Sequence, residues 1–172
     1  MNKKNKVIYF IISTIFFIIF DIYFSELILN SIRFTVSQNP ILDLIFVQNT
    51  GAAFSILENS KLFLIVFSII AILMILIYSI RNIEKFSAFA GFWAAMLIAG
   101  ISCNLYERVS FGYVRDFFKL NFIDFPVFNI SDIFINRHRT IDLIAKSRIR
   151  INKFTERFPI HRDSLRRIIK IQ

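Results

Sequence analysis

Cysteine is nearly missing from these 172 residues. The single Cys103 sits in an apolar run, which excludes an internal disulfide and any thiolate metal cluster. Histidine is almost as scarce: His138 and His161 both fall near the C-terminus, so a zinc site or a His-based triad in the apolar body has no imidazole to use. Charge is absent over long tracts, with no Asp, Glu, Lys or Arg in residues 62–80 or 86–106. What fills the chain instead is 56% hydrophobic and 16% aromatic residues with only four glycines, a composition that points to a membrane unit rather than a soluble domain.

Crossing a hydrocarbon layer takes on the order of 20 mostly apolar residues in a helix. Three runs qualify, at about 7–24, 62–80 and 86–106. Backbone groups in lipid are satisfied internally only by a helix or a closed barrel, so the two uncharged runs predict helices. The first run carries Asp21 near its far end and lacks a small-x-small cleavage pattern, which favours an uncleaved span over a secretory leader. Lys3, Lys4 and Lys6 favour a cytoplasmic start, and the short link 81–85 returns to that side. Residues 25–61 and 107–135 are then expected outside. The first of these segments alternates in two β-prone stretches, 32–36 and 42–47, separated by Ser37-Gln38-Asn39-Pro40, which predicts a small sheet on the outer face.

The formal net charge is +9, yet residues 137–172 hold eleven Lys/Arg against three acids, so nearly all of the excess belongs to the tail. The distribution argues against nucleic-acid binding by the body. Each charge at a helix centre costs about 2.5–3.5 kcal/mol on insertion scales, so the tail should not span. With three spans and a cytoplasmic start it would lie outside, against the orientation bias of the rest. The expected division is a membrane-embedded unit, 1–135, and a basic tail, 136–172.

Asp116 and Asp132 lie in a stretch too apolar for a solvated surface to explain both. Two acids brought together in a low dielectric cannot both ionise, and such a pair can activate water and protonate a leaving nitrogen. The competing reading is structural: Asp116 pairs with Arg108 or Arg115, and Asp132 caps a helix. Asp21 has a similar alternative as a carboxylate reaching the end of a short span. In the block 46–55, Asn49-Thr50-Gly51 is turn chemistry, and Gly51-Ala52-Ala53 lets another backbone approach, although a plain turn before a helix has the same composition.

Three matches in order resemble prolipoprotein signal peptidase, the signal peptidase II family of bacterial membrane aspartyl proteases. They are Asn49-Thr50-Gly51-Ala52-Ala53-Phe54-Ser55; Asn104-Leu105-x-x-Arg108 through Gly112-x-Val114-x-Asp116-Phe117; and Phe128-Asn129-x-x-Asp132. The resemblance implies that Asp116 and Asp132 form a catalytic dyad and that Asp21, Asn49, Gly51, Asn104, Arg108 and Asn129 bind substrate or support the site. From residue type, Asn49 and Arg108 are expected to hold substrate backbone, and Asn104 and Asn129 to orient the dyad. The implied substrates are prolipoproteins with a diacylglyceryl-modified cysteine, cut just before that cysteine. The implied location is the bacterial inner membrane among its lipids, with the site facing outward and with no cofactor or metal.

The sequence departs from the family pattern at Cys103, where glycine is usual, at Glu107, where aspartate is usual, and at Ser25, where lysine is common. The family's fourth apolar crossing is expected to begin at Asp132, but only Ile133-Phe134-Ile135 remain before the charges arrive. A reading-frame shift near codons 135–140 is the expected origin of the tail. Two other functions stay open at this stage: a catalytically inactive family derivative that binds lipidated precursors, and an ion or proton conduit using Asp21, Asp116 and Asp132.

Overall fold

The computed structural model of the protein describes residues 1–32, 41–51 and 60–136. Their elements are α1 (Lys3–Ile32), β1 (Leu42–Asn49), α2 (Lys61–Asn82), α3 (Ala88–Ser110), β2 (Val114–Leu120) and α4 (Ile130–Ile135). Helices α1, α2 and α3 are each long and apolar enough to cross a membrane. With the two-stranded sheet of β1 and β2 they make a mainly helical membrane architecture, as the sequence predicts. The basic tail, the second half of the 46–55 block and residues 33–36 lie outside the described residues.

Helix α1 runs about two turns beyond the predicted end of the first span, so residues 25–32 are helical rather than loop. Its buried side chains show why. Phe10, Ser13, Phe17, Asp21 and Ser25 recur every three or four positions and are all buried, so one stripe faces the other elements throughout. That stripe changes from apolar to polar along its length. Helix α2 is different: its only buried residues are Leu64 and Ser79, while Phe63, Phe67, Leu73 and Met74 are exposed, as suits a helix facing hydrocarbon.

Ser87 caps α3 by accepting the N–H of Ala90 at 3.0 Å. The helix ends where Phe111 N–H donates to Glu107 O at 2.8 Å and Gly112 N–H donates to Arg108 O at 3.2 Å. Gly112 then adopts φ +89°, a conformation that favours glycine and turns the chain into β2. Phe17, Met96, Ala99, Phe117, Ile130 and Phe134 form one core, with the Phe17 ring edge-on to Phe92 at 5.0 Å and to Phe134 at 5.1 Å. At the other end of α1, Lys6 Nζ donates to the carbonyls of Glu84 and Phe86, both at 2.7 Å. The start of α1 therefore shares an end of the bundle with the α2–α3 turn, and the last turn of α3 lies at the opposite end with the strands.

The small sheet expected from the sequence is present, with a partner strand that the sequence did not predict. The 42–47 stretch is a strand, and its partner among the described residues is β2; of the other expected stretch, Ile32 closes α1 and residues 33–36 lie outside the described residues. Strand β2 gave no alternating pattern because Val114, Asp116 and Phe117 are all buried, on both faces of the strand. Pairing is antiparallel, with Leu44 opposite Phe118 and Val47 opposite Asp116, so β1 holds one extra residue between those pairs. Without that bulge Phe46 would oppose Asp116 and Asn49 would point to the other face. The bulge puts Val47 and Asn49 on the face of Asp116.

Candidate active site

The polar end of the bundle is built on one face of α3. Gly100, Cys103, Asn104, Glu107 and Arg108 are all buried and follow the spacing of a single helical stripe. Gly100 admits α4: a Cβ there would lie 2.7 Å from Ser131 O and 3.0 Å from Phe134 Cβ. Only a residue without a side chain allows that approach.

Asp132 enters from α4. Asn129 is the N-cap, its Oδ1 accepting the Asp132 N–H at 2.8 Å, while Asp132 Oδ2 accepts the Asn129 N–H at 3.2 Å. In this reciprocal capping box Asp132 does accept a backbone N–H at the start of the helix, as the structural alternative expects, but from the third helical position, with Asn129 as the N-cap. Asn129 Nδ2 donates to Asn104 Oδ1 and Asn104 Nδ2 donates to Asp132 Oδ1, each at 3.0 Å. Both oxygens of Asp132 thus have a donor. Ser131, the preceding residue, donates its hydroxyl to Asp21 Oδ1 at 3.0 Å, which ties α4 to α1.

Asp116 enters from β2 and is 1% exposed. The segment before α4 runs beside this strand: Phe117 and Phe118 N–H groups both donate to Phe128 O, and Phe128 N–H donates to Phe118 O. Asn129 and α4 follow directly. Asn49, diagonal to Asp116 across the bulged ladder, donates its Nδ2 to Asp116 Oδ2 at 2.8 Å. Its own Oδ1 accepts the Gly51 N–H at 3.0 Å, shaping the turn. Asp116 Oδ1 is buried and has no hydrogen-bond partner among the described residues.

Neither arginine pairs with Asp116 among the described residues. Arg108 donates Nη2 to Gly51 O at 2.8 Å and Nη1 to Asn104 O at 3.3 Å. Arg115 is held by Glu107 and Glu26, with Nη2 to Glu107 Oε1 at 2.8 Å and Nη1 to Glu26 Oε1 at 2.6 Å. The paired-arginine alternative for Asp116 is therefore corrected.

Burial pushes the Asp116 carboxyl up to about 8, with the negative charge of Asp132 adding to the rise and the Asn49 amide opposing it. Burial raises Asp132 as well, against the Asn104 amide, the Asn129 N–H and the charge of Arg108. A carboxyl that stays protonated at neutral pH beside one richer in donors can act as an acid and a base together. Among the described residues no cluster of acids, histidines and cysteines is arranged to hold a metal ion.

Over residues 13–146 the chain matches the family described as Signal peptidase (SPase) II. The chain belongs to the signal peptidase II family. A lipoprotein signal peptidase of Buchnera aphidicola is 39% identical over 141 residues, 77% of this chain and 90% of that protein. One from Streptococcus thermophilus is 38% identical over 95 residues, 55% of this chain and 61% of its own length. The chain spans about three fifths of the length of several curated relatives it matches. A solved bacterial membrane enzyme superposes with a TM-score of 0.65 and 26% identity, covering 84% of this chain and 90% of that one. A second such structure gives 0.62 and 28%, over 79% and 90%.

In this signal peptidase II chain the structure brings Asn49, Gly51, Asn104, Arg108, Asn129 and both aspartates into one hydrogen-bonded group, with Asp21 attached through Ser131. Asn49 and Arg108, expected on substrate backbone, are bonded here to Asp116 and to Gly51. Sequence reasoning missed Gly100, Ser131 and the Glu107–Arg115 pair. The signal was present as the i, i+3, i+4, i+7, i+8 recurrence from Gly100 to Arg108, a polar stripe in an otherwise apolar helix.

Proposed function

We propose that the protein is a membrane aspartyl endopeptidase that removes signal peptides from diacylglyceryl-modified prolipoproteins, cutting before the lipidated cysteine. The observation that carries this reading is the unequal pair of aspartates: Asp116 is buried, with one bare oxygen and a carboxyl raised to about 8, while both oxygens of Asp132 accept hydrogen bonds. Asp132 takes a proton from water as its oxygen attacks the scissile carbonyl. Asp116 gives its proton to the developing oxyanion; as the tetrahedral intermediate collapses, Asp132 passes the proton it took from water to the leaving nitrogen and Asp116 takes its own back from the hydroxyl that becomes the carbonyl. Asn104 and Asn129 orient Asp132, Asn49 orients Asp116, and Arg108 fixes the Gly51 carbonyl at the edge of the peptide path. Asp21 holds α4 through Ser131.

The lysines at the start of α1 favour the cytoplasm, and the aspartates sit at the opposite end of the bundle. The site then opens at the outer boundary of the inner membrane, where signal helix and acyl chains remain in lipid while water reaches the carbonyl. The test is cleavage of a lipid-modified precursor by purified protein in vesicles, with Asp116→Asn and Asp132→Asn as controls. Cleavage by the wild type alone supports the reading. Equal processing by both variants removes it, and precursor binding without cleavage by the wild type identifies an inactive binding derivative.

A further inference from the structure

Two consecutive residues at the end of α3 hold the two strands. Arg108 reaches Gly51 beyond β1, and Glu107 reaches β2, where its Oε2 accepts the backbone N–H of Arg115 at 2.7 Å and its Oε1 accepts Arg115 Nε at 2.9 Å. Arg115 is the residue immediately before Asp116. Its guanidinium continues to Glu26 of α1 and lies over the Phe111 ring at 4.7 Å from the centroid. One strand residue is therefore fixed through its main chain and its side chain, from two helices and a turn. Glu107 is buried and the Arg115 side chain is 15% exposed, so the pair is shielded from water and from salt.

We infer that Glu107 and Arg115 are positioning residues for Asp116: the Glu107–Arg115–Glu26 clamp fixes the β2 backbone at the dyad and sets the charge that Asp116 experiences. The inference rests on the dyad reading above. Without the clamp, β2 would be held before Asp116 only by its ladder to the short β1, since its bonds to Phe128 lie beyond Asp116, and a displacement of about 1 Å at a reacting group can cost on the order of a hundredfold in rate. The clamp also acts electrostatically. The groups facing Asp116 are Asp132 from α4, Arg108 and Glu107 from α3, and Asn49 from β1, and the charge of Glu107 is among those raising its carboxyl. From α1, Asp21 and Glu26 border the same small cavity of about 70 Å³ as Glu107 and Arg115. Arg115 neutralises part of the Glu107 charge, so the two clamp residues pull on Asp116 in opposite directions.

The test uses Glu107→Gln, which keeps an oxygen for the Arg115 N–H, together with Arg115→Leu, Arg115→Lys and the surface variant Glu26→Gln, all in the full chain. Asp116 protonation is followed by its carboxylic-acid infrared band, assigned by subtracting Asp116→Asn, and cleavage kinetics are measured beside it. Glu107→Gln is expected to move the Asp116 titration to lower pH, and Arg115→Leu to move it to higher pH. In both, kcat falls about tenfold with KM held within about twofold, since the clamp does not touch substrate. Arg115→Lys recovers part of kcat, and Glu26→Gln, which removes a negative charge, gives the smallest shift, in the same direction as Glu107→Gln. Coincident titrations in all four proteins overturn the inference, as does a loss confined to KM. Because the infrared band reports on Asp116 without turnover, a wild type that does not cleave defeats the dyad reading while leaving the clamp separately decided.

Discussion

Asp132 and Asp116 are mounted in opposite ways. The first stands in the opening turn of a six-residue helix, with a side-chain amide on one oxygen and a backbone N–H on the other. The second stands on a strand, 1% exposed, with Asn49 on one oxygen and no described partner on the other. Hydrogen bonds from donors favour the charged form of a carboxylate, while burial without donors favours the neutral form. The contrast teaches that burial raises both carboxyls and that the donors brought by their supports, not their neighbours in sequence, are what distinguish two chemically identical side chains.

The comparison breaks most completely if either support is removed. Asn104→Ala deletes the donor on Asp132 and strands the Asn129 amide, and cleavage should fall about 10- to 150-fold, since hydrogen bonds to charged groups contribute about 1.5–3 kcal/mol. Steady-state rates on a lipidated precursor check this. Gly100→Ala forces a Cβ toward Ser131 O, which lies 2.7 Å from its ideal position, so α4 must shift. Activity should fall roughly 10- to 100-fold with a lowered Tm, read by thermal melts and cleavage together.

Asn49→Ala acts on the other carboxylate. Removing the amide that opposes protonation should carry the Asp116 titration above its value of about 8 and cut the rate about tenfold, visible as an alkaline limb displaced upward. Stability supplies a subtler contrast. A carboxyl raised above its ordinary value binds its proton more tightly in the folded state, so its contribution is full below about pH 4 and is lost as pH rises toward 8. Tm measured across that window should decline more steeply in the wild type than in Asp116→Asn. The smallest effect is expected at Phe67 on the exposed face of α2, where Phe67→Leu should change Tm and cleavage little.

How much of this was readable in the chain depends on the distance over which each feature is determined. The uncharged runs 62–80 and 86–106 announced α2 and α3 because a lipid-spanning backbone has so few alternatives. Asp21, Asp116 and Asp132 stood out as charged residues in apolar surroundings, whereas Asn104 and Asn129 were picked out only by the resemblance to the signal peptidase II family. The end of α1 did not stand out, since hydropathy marks the hydrocarbon layer and not the two further turns that carry Ser25 and Glu26. Strand pairing was also hidden: the bulge in β1 that turns Asn49 toward Asp116 depends on a partner about seventy residues away, and a one-residue slip would reverse its face. The partners of Arg115 were illegible for the same reason, because Glu26 and Glu107 reach it only after α1, α3 and β2 have packed.

The most direct test of the unequal pair is the pH profile of single-turnover cleavage of a lipid-modified precursor in vesicles. The account predicts an alkaline limb near pH 8, set by loss of the Asp116 proton, and no measurable turnover at any pH in Asp116→Asn or Asp132→Asn. A rate that stays level through pH 10, or full activity in either variant, would contradict it.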